Sequence, residues 1–366
     1  MPLDLLKSLI ATPSPSRQED RTADLIADHL SRHGLLPQRH LNNVWATSRQ
    51  WRTGRPTILL NSHHDTVKAA AGYTRDPHHA EVIDGKLYGL GSNDAGGALV
   101  SLIAAFIELE NNPDLNCNLV LAATAEEEIS GPNGIAALLP LLPPIDAGIV
   151  GEPTLLDLAV AERGLIVIDA HTTGQSGHAA RNEGINALYL AIEDVAAIRA
   201  HTFSRSSEHL GPTTATVTVI ASGTQHNVVP DRCIFVIDLR VNEAYTNEEA
   251  VAELQSVCQH AMLTPRSLRL QSSRIDVDHP LVVAARAARP SAKVYGSPTL
   301  SDQALMPFPT LKLGPGDSAR SHTADEFIYV REVEEGVRVY AELIKEVKNY
   351  LLPGSARHPP PVTPTV

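Results

Sequence analysis

The sequence predicts an α/β protein into which a second, α+β unit is inserted. In the first 150 residues, short apolar runs at 57–61 and 118–124 are bounded by polar turns, and a helical stretch at 95–110 lies between them. Short apolar runs of this kind are typical of parallel strands that are buried on both faces. From about residue 164 the pattern changes, and the α/β pattern returns after residue 271.

The middle of the chain predicts a ferredoxin-like unit. Residues 233–241 alternate, with Phe235 and Ile237 on one face and Asp238 and Arg240 on the other, as in a strand with one buried face. The expected order of elements, βαββαβ, is that of a ferredoxin-like unit. The predicted elements are a strand at 164–170, a helix at 186–200, strands at 214–221 and 233–241, a helix at 248–262 and a closing strand near 267–271.

These patterns divide the chain into two domains and a tail. The first domain is discontinuous and comprises residues 1–163 and 272–352, and the second comprises residues 164–271. Residues 353–366 contain five prolines and predict a disordered tail.

The first long helix has a recognisable start and stop. Ser16 and Glu19 have the spacing of a capping box, apolar residues follow at helical spacing, and Gly34 is a typical helix stop. The sequence therefore predicts a surface helix that begins at a capping box formed by Ser16 and Glu19.

Composition excludes several classes of protein and partner. With 43% hydrophobic and 20% charged residues, the 366-residue chain resembles globular proteins rather than disordered or collagen-like ones. Its formal net charge of −12 argues against nucleic acid and membrane surfaces as partners. Three cysteines without CxxC spacing, Cys117, Cys233 and Cys258, argue against a zinc ribbon and favour the reducing cytoplasm. We expect no signal peptide and no membrane span, which needs ~20 apolar residues.

Polar clusters after the apolar runs are the candidate functional residues, because ligands of open α/β sheets gather at the carboxyl ends of strands. The clusters are Ser62-His63-His64-Asp65, the glycine-rich segment 89–97 around Asp94, Glu126-Glu127-Glu128, Gly151-Glu152-Pro153-Thr154, and Ser321-His322-Thr323 near Gly314 and Gly316. Each has an ordinary alternative: a solvated loop, a turn in which an aspartate caps a helix, or a solvated charge run. A dinucleotide loop is excluded at 89–97, because Asp94 occupies the place of the third glycine.

Together the clusters offer two histidines and at least three carboxylates. Nitrogen and oxygen ligands of this kind suit zinc, manganese or cobalt better than copper or an iron–sulfur cluster. Alternation along an extended strand places His63 and Asp65 on one side, where the carboxylate can hold the imidazole of a metal-bound histidine. Two ions ~3.5–4 Å apart would clamp an attacking oxygen and a substrate carbonyl.

The same residues carry a resemblance to a known family. The chain resembles the M20 metallopeptidases, in particular the branch of acetylornithine deacetylases and succinyl-diaminopimelate desuccinylases, in an ordered match over residues 5–351. The matching motifs are His63-x-Asp65-Thr-Val, Asp94-Ala-Gly-Gly, Glu127-Glu128, Gly-Glu152-Pro-Thr, Gly-His178-Ala, Asn227-Val-Val-Pro with Asp238-Leu-Arg240, and His322-Thr-Ala.

The resemblance implies a fold and a metal centre. Residues 1–163 and 272–352 would form a metallopeptidase-type α/β catalytic domain with a mixed sheet between helices, and residues 164–271 a ferredoxin-like α+β lid and dimerisation domain. Two divalent ions are implied, with zinc as the first choice and cobalt or manganese as alternatives. In the implied ligand set, His63 and Glu152 hold one ion, Glu128 and His322 hold the other, and Asp94 bridges them.

Roles in catalysis and substrate binding are implied in the same way. Glu127 would be the general base for a bridging metal-bound water, and Asp65 would orient His63. His178 would reach the active site of the partner subunit in a homodimer formed through the lid, and would steady the oxyanion there. The groups implied to bind the substrate carboxylate are Asn227, Arg240 and the backbone N–H groups of Gly314 and Gly316.

The implied function is a metal-dependent amidohydrolase. It would remove an N-acyl group, with acetyl as the first choice, from the α-amino group of ornithine or a close relative such as citrulline, in arginine biosynthesis. Desuccinylation of succinyl-ornithine, succinyl-citrulline or succinyl-diaminopimelate and a dipeptidase activity are the alternatives. A catalytically inactive binding module on the same scaffold is the alternative of a different class.

Some assignments stay open at this point. Asp94 is followed by Ala-Gly-Gly where many members carry Met-Lys-Gly, and Ser301-Asp302-Gln-Ala-Leu replaces a more usual Asp-Gly-Arg stretch, so the substrate is not decided. His178 has the alternative of an ordinary loop histidine, and Arg240 that of an ion-pair partner of Asp238.

Overall fold

The structure, a computed structural model, describes residues 2–181 and 183–347. The predicted tail at 353–366 lies outside the described residues. Within these ranges the α-helices are α1 (Pro2–Ile10), α2 (Asp20–Arg32), α3 (Gly97–Leu109), α4 (Ile135–Leu138), α5 (Ala187–Ala200), α6 (Asn247–Val257), α7 (Pro280–Ala288) and α8 (Val330–Val347).

The strands of the described chain vary from two to ten residues in length. In chain order they are β1 (Gln38–His40), β2 (Asn43–Thr47), β3 (Thr57–His63), β4 (Glu81–Ile83), β5 (Lys86–Tyr88), β6 (Asn118–Thr124), β7 (Ala147–Val150), β8 (Leu158–Glu162), β9 (Gly164–Thr173), β10 (Ser206–Ser207), β11 (Gly211–Pro212), β12 (Thr214–Ser222), β13 (Arg232–Val241), β14 (Met262–Pro265), β15 (Ser273–Arg274), β16 (Val294–Ser297), β17 (Thr310–Lys312) and β18 (Phe327–Tyr329).

The chain folds into two compact units. Among the described residues, the first unit comprises 2–160, Ile275–Tyr295 and 301–347, and the second comprises Ala161–Arg274 and Gly296–Leu300. Each unit has a hydrophobic core of its own.

Four parallel strands occupy the centre of a mixed sheet in the first unit, in the order β6-β3-β7-β17. β2 flanks β6 and β8 flanks β17, and both flanking strands are antiparallel to their neighbours. Every residue of β3 and β6 is buried, which explains why the sequence shows nearly continuous apolar runs there. The predicted α/β class with a mixed sheet is confirmed.

Helices cover both faces of this sheet. Ile58 of β3 points to a core that includes Phe106 of α3 and Tyr340 of α8. The next residue, Leu59, points to the opposite face and packs with Ile135 of α4. Since both faces are covered, side chains that follow the carboxyl ends of the parallel strands are the ones free to form a site.

The second unit contains a four-stranded antiparallel sheet in the order β12-β13-β9-β14. Helix α5 connects β9 to β12, and helix α6 connects β13 to β14. This chain order and strand order are those of a ferredoxin-like unit. Phe235 and Ile237 of β13 are buried with Ile198 of α5, as the alternation in the sequence predicts.

The closing strand of this sheet lies earlier in the chain than the sequence predicts. It is β14 at Met262–Pro265 instead of a strand at 267–271, and α6 is shorter than predicted and ends at Val257. The buried carboxylate of Asp194 accepts three consecutive backbone N–H groups at 259–261. These groups are therefore withdrawn from a continuing helix, and the chain turns into β14 early.

The predicted capping box is not formed. Helix α2 begins at Asp20, and the hydroxyl of Ser16 donates to Oδ2 of Asp65 at 2.7 Å. Glu19 is fully buried, and its carboxylate accepts the backbone N–H of Glu126 at 3.2 Å. Ser16 and Glu19 therefore connect loops that are far apart in the sequence instead of closing a helix end.

One described segment, Ser92–Leu109, is long and apolar enough to cross a membrane, but 78% of it is buried inside the protein. Most of this segment is α3, which packs into the core together with α8. A helix that is buried on nearly all sides has this composition without any membrane.

Candidate metal centre

Parallel strands bring four predicted site residues to one edge of the sheet. His63 is the last residue of β3, Glu127 and Glu128 follow the end of β6, and Glu152 lies two residues beyond β7. Because β3 lies between β6 and β7 and is parallel to both, the carboxyl ends of the three strands are neighbours. The strand order thus places these side chains together although they are distant in sequence.

Two loops complete the site. Asp94 lies in the turn Ser92–Gly96 that leads into α3; its backbone is extended, with φ of −118° and ψ of 100°, and its peptide bond to Ala95 is cis. His322 follows the short 3₁₀ turn Ser318–Arg320 and has a left-handed backbone with φ of 58°. Each loop contributes a side chain of a metal-ligand type.

The five predicted metal ligands form two donor groups that share Asp94. His63, Asp94 and Glu152 each place one nitrogen or oxygen atom within 4.8 Å of the others, and so do Asp94, Glu128 and His322. Oδ1 of Asp94 lies 3.3 Å from Nε2 of His63, whereas Oδ2 of Asp94 lies 3.5 Å from Nε2 of His322. The two oxygens of one carboxylate face different histidines, as a bridging ligand requires.

The site concentrates negative charge on carboxylates whose side chains are only 7–13% exposed. Burial and the neighbouring carboxylates raise the pKa of Glu152 to about 8 and that of Glu127 well above its usual range, although His63 opposes both shifts. The carboxylate of Glu128, 3.0 Å from Nε2 of His322, raises the pKa of that histidine to about 9. Divalent cations would relieve this crowding, so both the donor atoms and the charge fit two ions such as zinc.

Asp65 contacts both His63 and the segment that carries Glu127. Nδ1 of His63 lies 3.0 Å from the carbonyl oxygen of Asp65 and 3.4 Å from its Oδ1. When Nδ1–H donates to Asp65, the lone pair of Nε2 is available to bind a metal ion. The carboxylate of Asp65 accepts the backbone N–H groups of Glu127 at 3.1 Å and Glu128 at 3.2 Å. Asp65 is therefore in position to orient His63, as the resemblance implies.

Only two of the three adjacent glutamates face the site. Oε2 of Glu127 lies 3.8 Å from Nε2 of His63. Glu127 is therefore beside the donor group of His63, Asp94 and Glu152 but does not belong to it. Glu128 belongs to the second donor group. The carboxylate of Glu126 instead accepts the backbone and side-chain N–H groups of Asn133.

His64, the neighbour of His63, is a core residue. Its ring is buried, and its nitrogens lie 2.9 Å from the hydroxyl of Thr22 and 2.9 Å from the carbonyl oxygen of Asn42. Burial lowers the pKa of His64 to about 4, so the ring is neutral at ordinary pH. Of the two adjacent histidines, one faces the site and the other packs behind it.

Most of the chain matches a known protein family. Residues 59–346, more than half of the chain, match the family described as Peptidase family M20/M25/M40. The chain belongs to this family. It is therefore an M20 family hydrolase, and the resemblance stated from its motifs is confirmed.

Its relatives include two deacylases. The chain is 28% identical to the acetylornithine deacetylase of Proteus mirabilis (strain HI4320), over 94% of this chain and 96% of that protein. It is 26% identical to succinyl-diaminopimelate desuccinylase 2 of Ruegeria sp. (strain TM1040), over 94% of each. Among solved structures, it shares its fold with the Bacillus subtilis YXEP protein, described as a dinuclear metal-binding M20 peptidase, at a TM-score of 0.75 and 16% identity, over 95% of this chain and 98% of that one.

Three further residues implied for the M20 active site lie in the second unit. His178 and Asn227 are exposed on adjacent loops, where the backbone N–H of Ala179 donates to the carbonyl of Asn227 at 3.1 Å. The guanidinium of Arg240 makes two hydrogen bonds to Asp238, at 2.7 and 3.0 Å, which is the ordinary alternative considered for it. The catalytic and substrate-binding roles of these residues stay predictions.

Gly314 and Gly316 form a buried turn next to Glu152. The N–H of Gly314 donates to the hydroxyl of Thr154 at 3.0 Å. This N–H group therefore already has a partner within the protein, in contrast to the predicted contact with substrate. Gly316 has a φ of +94°, and a Cβ at this position would lie 2.5 Å from Oδ1 of Asn93. The structure therefore requires glycine at 316 for a close approach between loops.

Sequence reasoning missed the buried carboxylates that hold the loops of this M20 site. Glu19 accepts the N–H of Glu126, and Glu326, only 2% exposed, accepts three N–H groups in the loop of Asp94. The sequence signal for Glu326 is its position, only four residues after His322.

Replacing each of the adjacent histidines by alanine should separate a ligand from a core residue. We expect His63→Ala to lose bound zinc. His64→Ala should keep the zinc and lose about 2–4 kcal/mol of unfolding free energy, because it opens a cavity and leaves the carbonyl of Asn42 without its donor. Metal analysis after dialysis and denaturant unfolding measure the two effects, and full zinc retention by His63→Ala would remove it from the ligand set.

Proposed function

We propose that the protein is a two-metal amidohydrolase that removes an N-acyl group from an α-amino acid. The observation that carries this proposal is the pair of donor groups that share Asp94, with its two oxygens toward different histidines. Membership of the M20 family supports it. An inactive binding module is disfavoured, because all five ligand-type residues, Asp65 and Glu127 are present in one site.

Zinc is the first choice of metal, with cobalt or manganese as alternatives, because imidazole and carboxylate ligands suit all three. His63 and Glu152 would hold one ion, Glu128 and His322 the other, and Asp94 both. When bound, two such ions supply positive charge beside the scissile carbonyl and lower the pKa of water. The chain itself supplies the proton acceptor and the substrate contacts.

Glu127 is proposed as the general base. Its carboxylate lies at the donor group that holds His63, and Asp65 fixes its backbone N–H. Glu127 would take a proton from the attacking water at its carboxylate, and would later give that proton to the leaving amine nitrogen as the amide C–N bond breaks. The products are then a free carboxylic acid and a free α-amino group.

The substrate is proposed from the relatives. An acetylornithine deacetylase and a succinyl-diaminopimelate desuccinylase match the chain at similar identity and over almost their full length. We propose N²-acetylornithine or acetylcitrulline as the first choice, which would place the enzyme in arginine biosynthesis, and the succinyl compounds as the second. A cytoplasmic location is proposed from the three unpaired cysteines.

A homodimer through residues 164–271 is also proposed. β12 lies at the end of its sheet, and Val219 and Ile220 on this strand are 53% and 48% exposed. Tyr189 and Ile192 of α5, which packs beside β12, are also exposed. An apolar edge strand of this kind invites pairing with a second copy. The role of His178 in the active site of the partner subunit is proposed from the family resemblance alone.

Replacing Glu127 by glutamine should leave zinc binding unchanged and lower kcat by about 10²- to 10⁴-fold, since the proton acceptor is removed while its shape is kept. Glu126→Gln is the matched control, because its carboxylate is bonded to Asn133 outside the site. Steady-state kinetics on an N-acyl amino acid, with metal analysis, measure both. A Glu127→Gln enzyme with near-normal kcat would argue for another base.

A substrate panel should identify the acyl group and the amine. We expect kcat/KM to be highest for N²-acetylornithine or acetylcitrulline, lower for succinyl compounds and dipeptides, and abolished by a chelator until zinc is restored. Release of free amine by the chelated and reconstituted enzyme is the measurement. A preference for succinyl compounds would change the substrate but not the reaction, whereas no turnover of any N-acyl amino acid with metal supplied would favour the binding module.

Substitutions on the two edge strands should test the dimer. Ile220→Asp on β12 should convert a dimer to a monomer, because it places a charge on the apolar edge. Met262→Asp on β14, 59% exposed at the other end of the sheet, should leave the dimer intact. Sedimentation velocity gives the mass of each, and a wild-type monomer would end this part of the proposal.

A further inference from the structure

Glu326 is a buried carboxylate with no part in the reaction described above. It precedes β18 and is 2% exposed. Its Oε1 accepts the backbone N–H groups of Asn93 at 2.8 Å and Asp94 at 3.0 Å, and its Oε2 accepts that of Gly91 at 3.1 Å. The carbonyl of Glu326 also accepts the N–H of Gly89 at 3.0 Å. Glu326 therefore accepts hydrogen bonds from four backbone N–H groups of the loop that carries Asp94.

The side chain of Asn93 links this loop to the loop of His322. Its Nδ2 donates to the carbonyl of Asp317 at 3.0 Å and to the hydroxyl of Ser321 at 3.3 Å, and its Oδ1 accepts the N–H of Asp317 at 3.0 Å. Ser321 directly precedes His322. Two loops that are more than 220 residues apart in sequence are thereby held together next to Asp94.

The loop of Asp94 needs such support because its own sequence supplies little rigidity. Glycines stand at positions 91, 96 and 97, and glycine has the largest conformational freedom of all residues. Hydrogen bonds from N–H groups to an ionised carboxylate are shorter and stronger than neutral ones. Three of them in a buried setting fix the backbone of the loop from Gly91 to Asp94, which leads directly into the shared carboxylate.

We propose that Glu326 is a positioning residue for the metal centre: it fixes the backbone of Asp94 so that the two carboxyl oxygens stay aimed at His63 and His322. This inference rests on the proposed function, because it takes Asp94 to bind both ions. Without Glu326, the loop of Asp94 would still be present but would sample other positions, and each ion would lose part of its shared ligand. The direct consequence is weaker metal binding in a folded protein.

Asp194 in the second unit offers a matched control. It is also buried, and its carboxylate also accepts three backbone N–H groups, those of Gln259, His260 and Ala261. These groups belong to the turn before β14 and carry no predicted ligand. Asp194→Asn and Glu326→Gln therefore make the same chemical change, in which an amide N–H₂ faces backbone donors, but only Glu326→Gln makes it beside Asp94.

The test is a titration of the metal-free full-length protein with zinc, in competition with a chromophoric chelator. Glu326→Gln should bind zinc about 10- to 100-fold more weakly than wild type, the usual effect of removing a group that orients a metal ligand. Asp194→Asn should bind zinc as wild type does. Thermal unfolding of the metal-free variants shows that each is folded before it is titrated.

Three results would overturn the inference. Wild-type zinc affinity in Glu326→Gln would show that Asp94 needs no such support, and equal losses in Glu326→Gln and Asp194→Asn would show a general loss of stability instead. If Glu326→Gln does not fold, Asn93→Ala decides the question: weaker zinc binding supports positioning of the loop, and wild-type binding refutes it. A wild-type protein that binds no zinc would instead refute the proposed function itself.

Discussion

Asp94 directs its two carboxyl oxygens toward different histidines, and the rest of the site is arranged around that carboxylate. The parallel strands β3, β6 and β7 deliver His63, Glu128 and Glu152 to one edge of the sheet, and a loop near the end of the chain delivers His322. Several carboxylates are thereby buried close together, which is unfavourable unless positive charge is supplied. Metal binding and stability of the native state should therefore be linked in this protein.

Buried carboxylates that do not belong to either donor group hold the loops of the site in place. Asp65 accepts the N–H groups of Glu127 and Glu128, and Glu19 accepts that of Glu126. Glu326 accepts three N–H groups in the loop that leads to Asp94. Each replaces the regular hydrogen bonds that a loop lacks with bonds to a charged acceptor. The positions of the metal-ligand side chains thus depend on the sheet and also on these further acidic residues, which hold the loops.

The sequence predicted the features that rest on local patterns. The buried runs of β3 and β6 and the alternation of β13 are visible within a few residues, because each reports the burial of one strand. The ligand-type residues were found because they follow strands and match family motifs. In contrast, the bonds from Ser16 to Asp65 and from Glu326 to the loop of Asp94 join side chains and backbone over 49 to 235 residues, and no local pattern marks them. The position of β14 was missed for the same reason, since it depends on Asp194 of α5.

The most direct test of the shared carboxylate is anomalous X-ray diffraction at the zinc edge from crystals of the zinc-loaded protein. The account predicts two anomalous peaks about 3.5–4 Å apart, with one oxygen of Asp94 bound to each. His63 and Glu152 should contact one peak, and Glu128 and His322 the other. A single peak, or two peaks that Asp94 does not join, would contradict it.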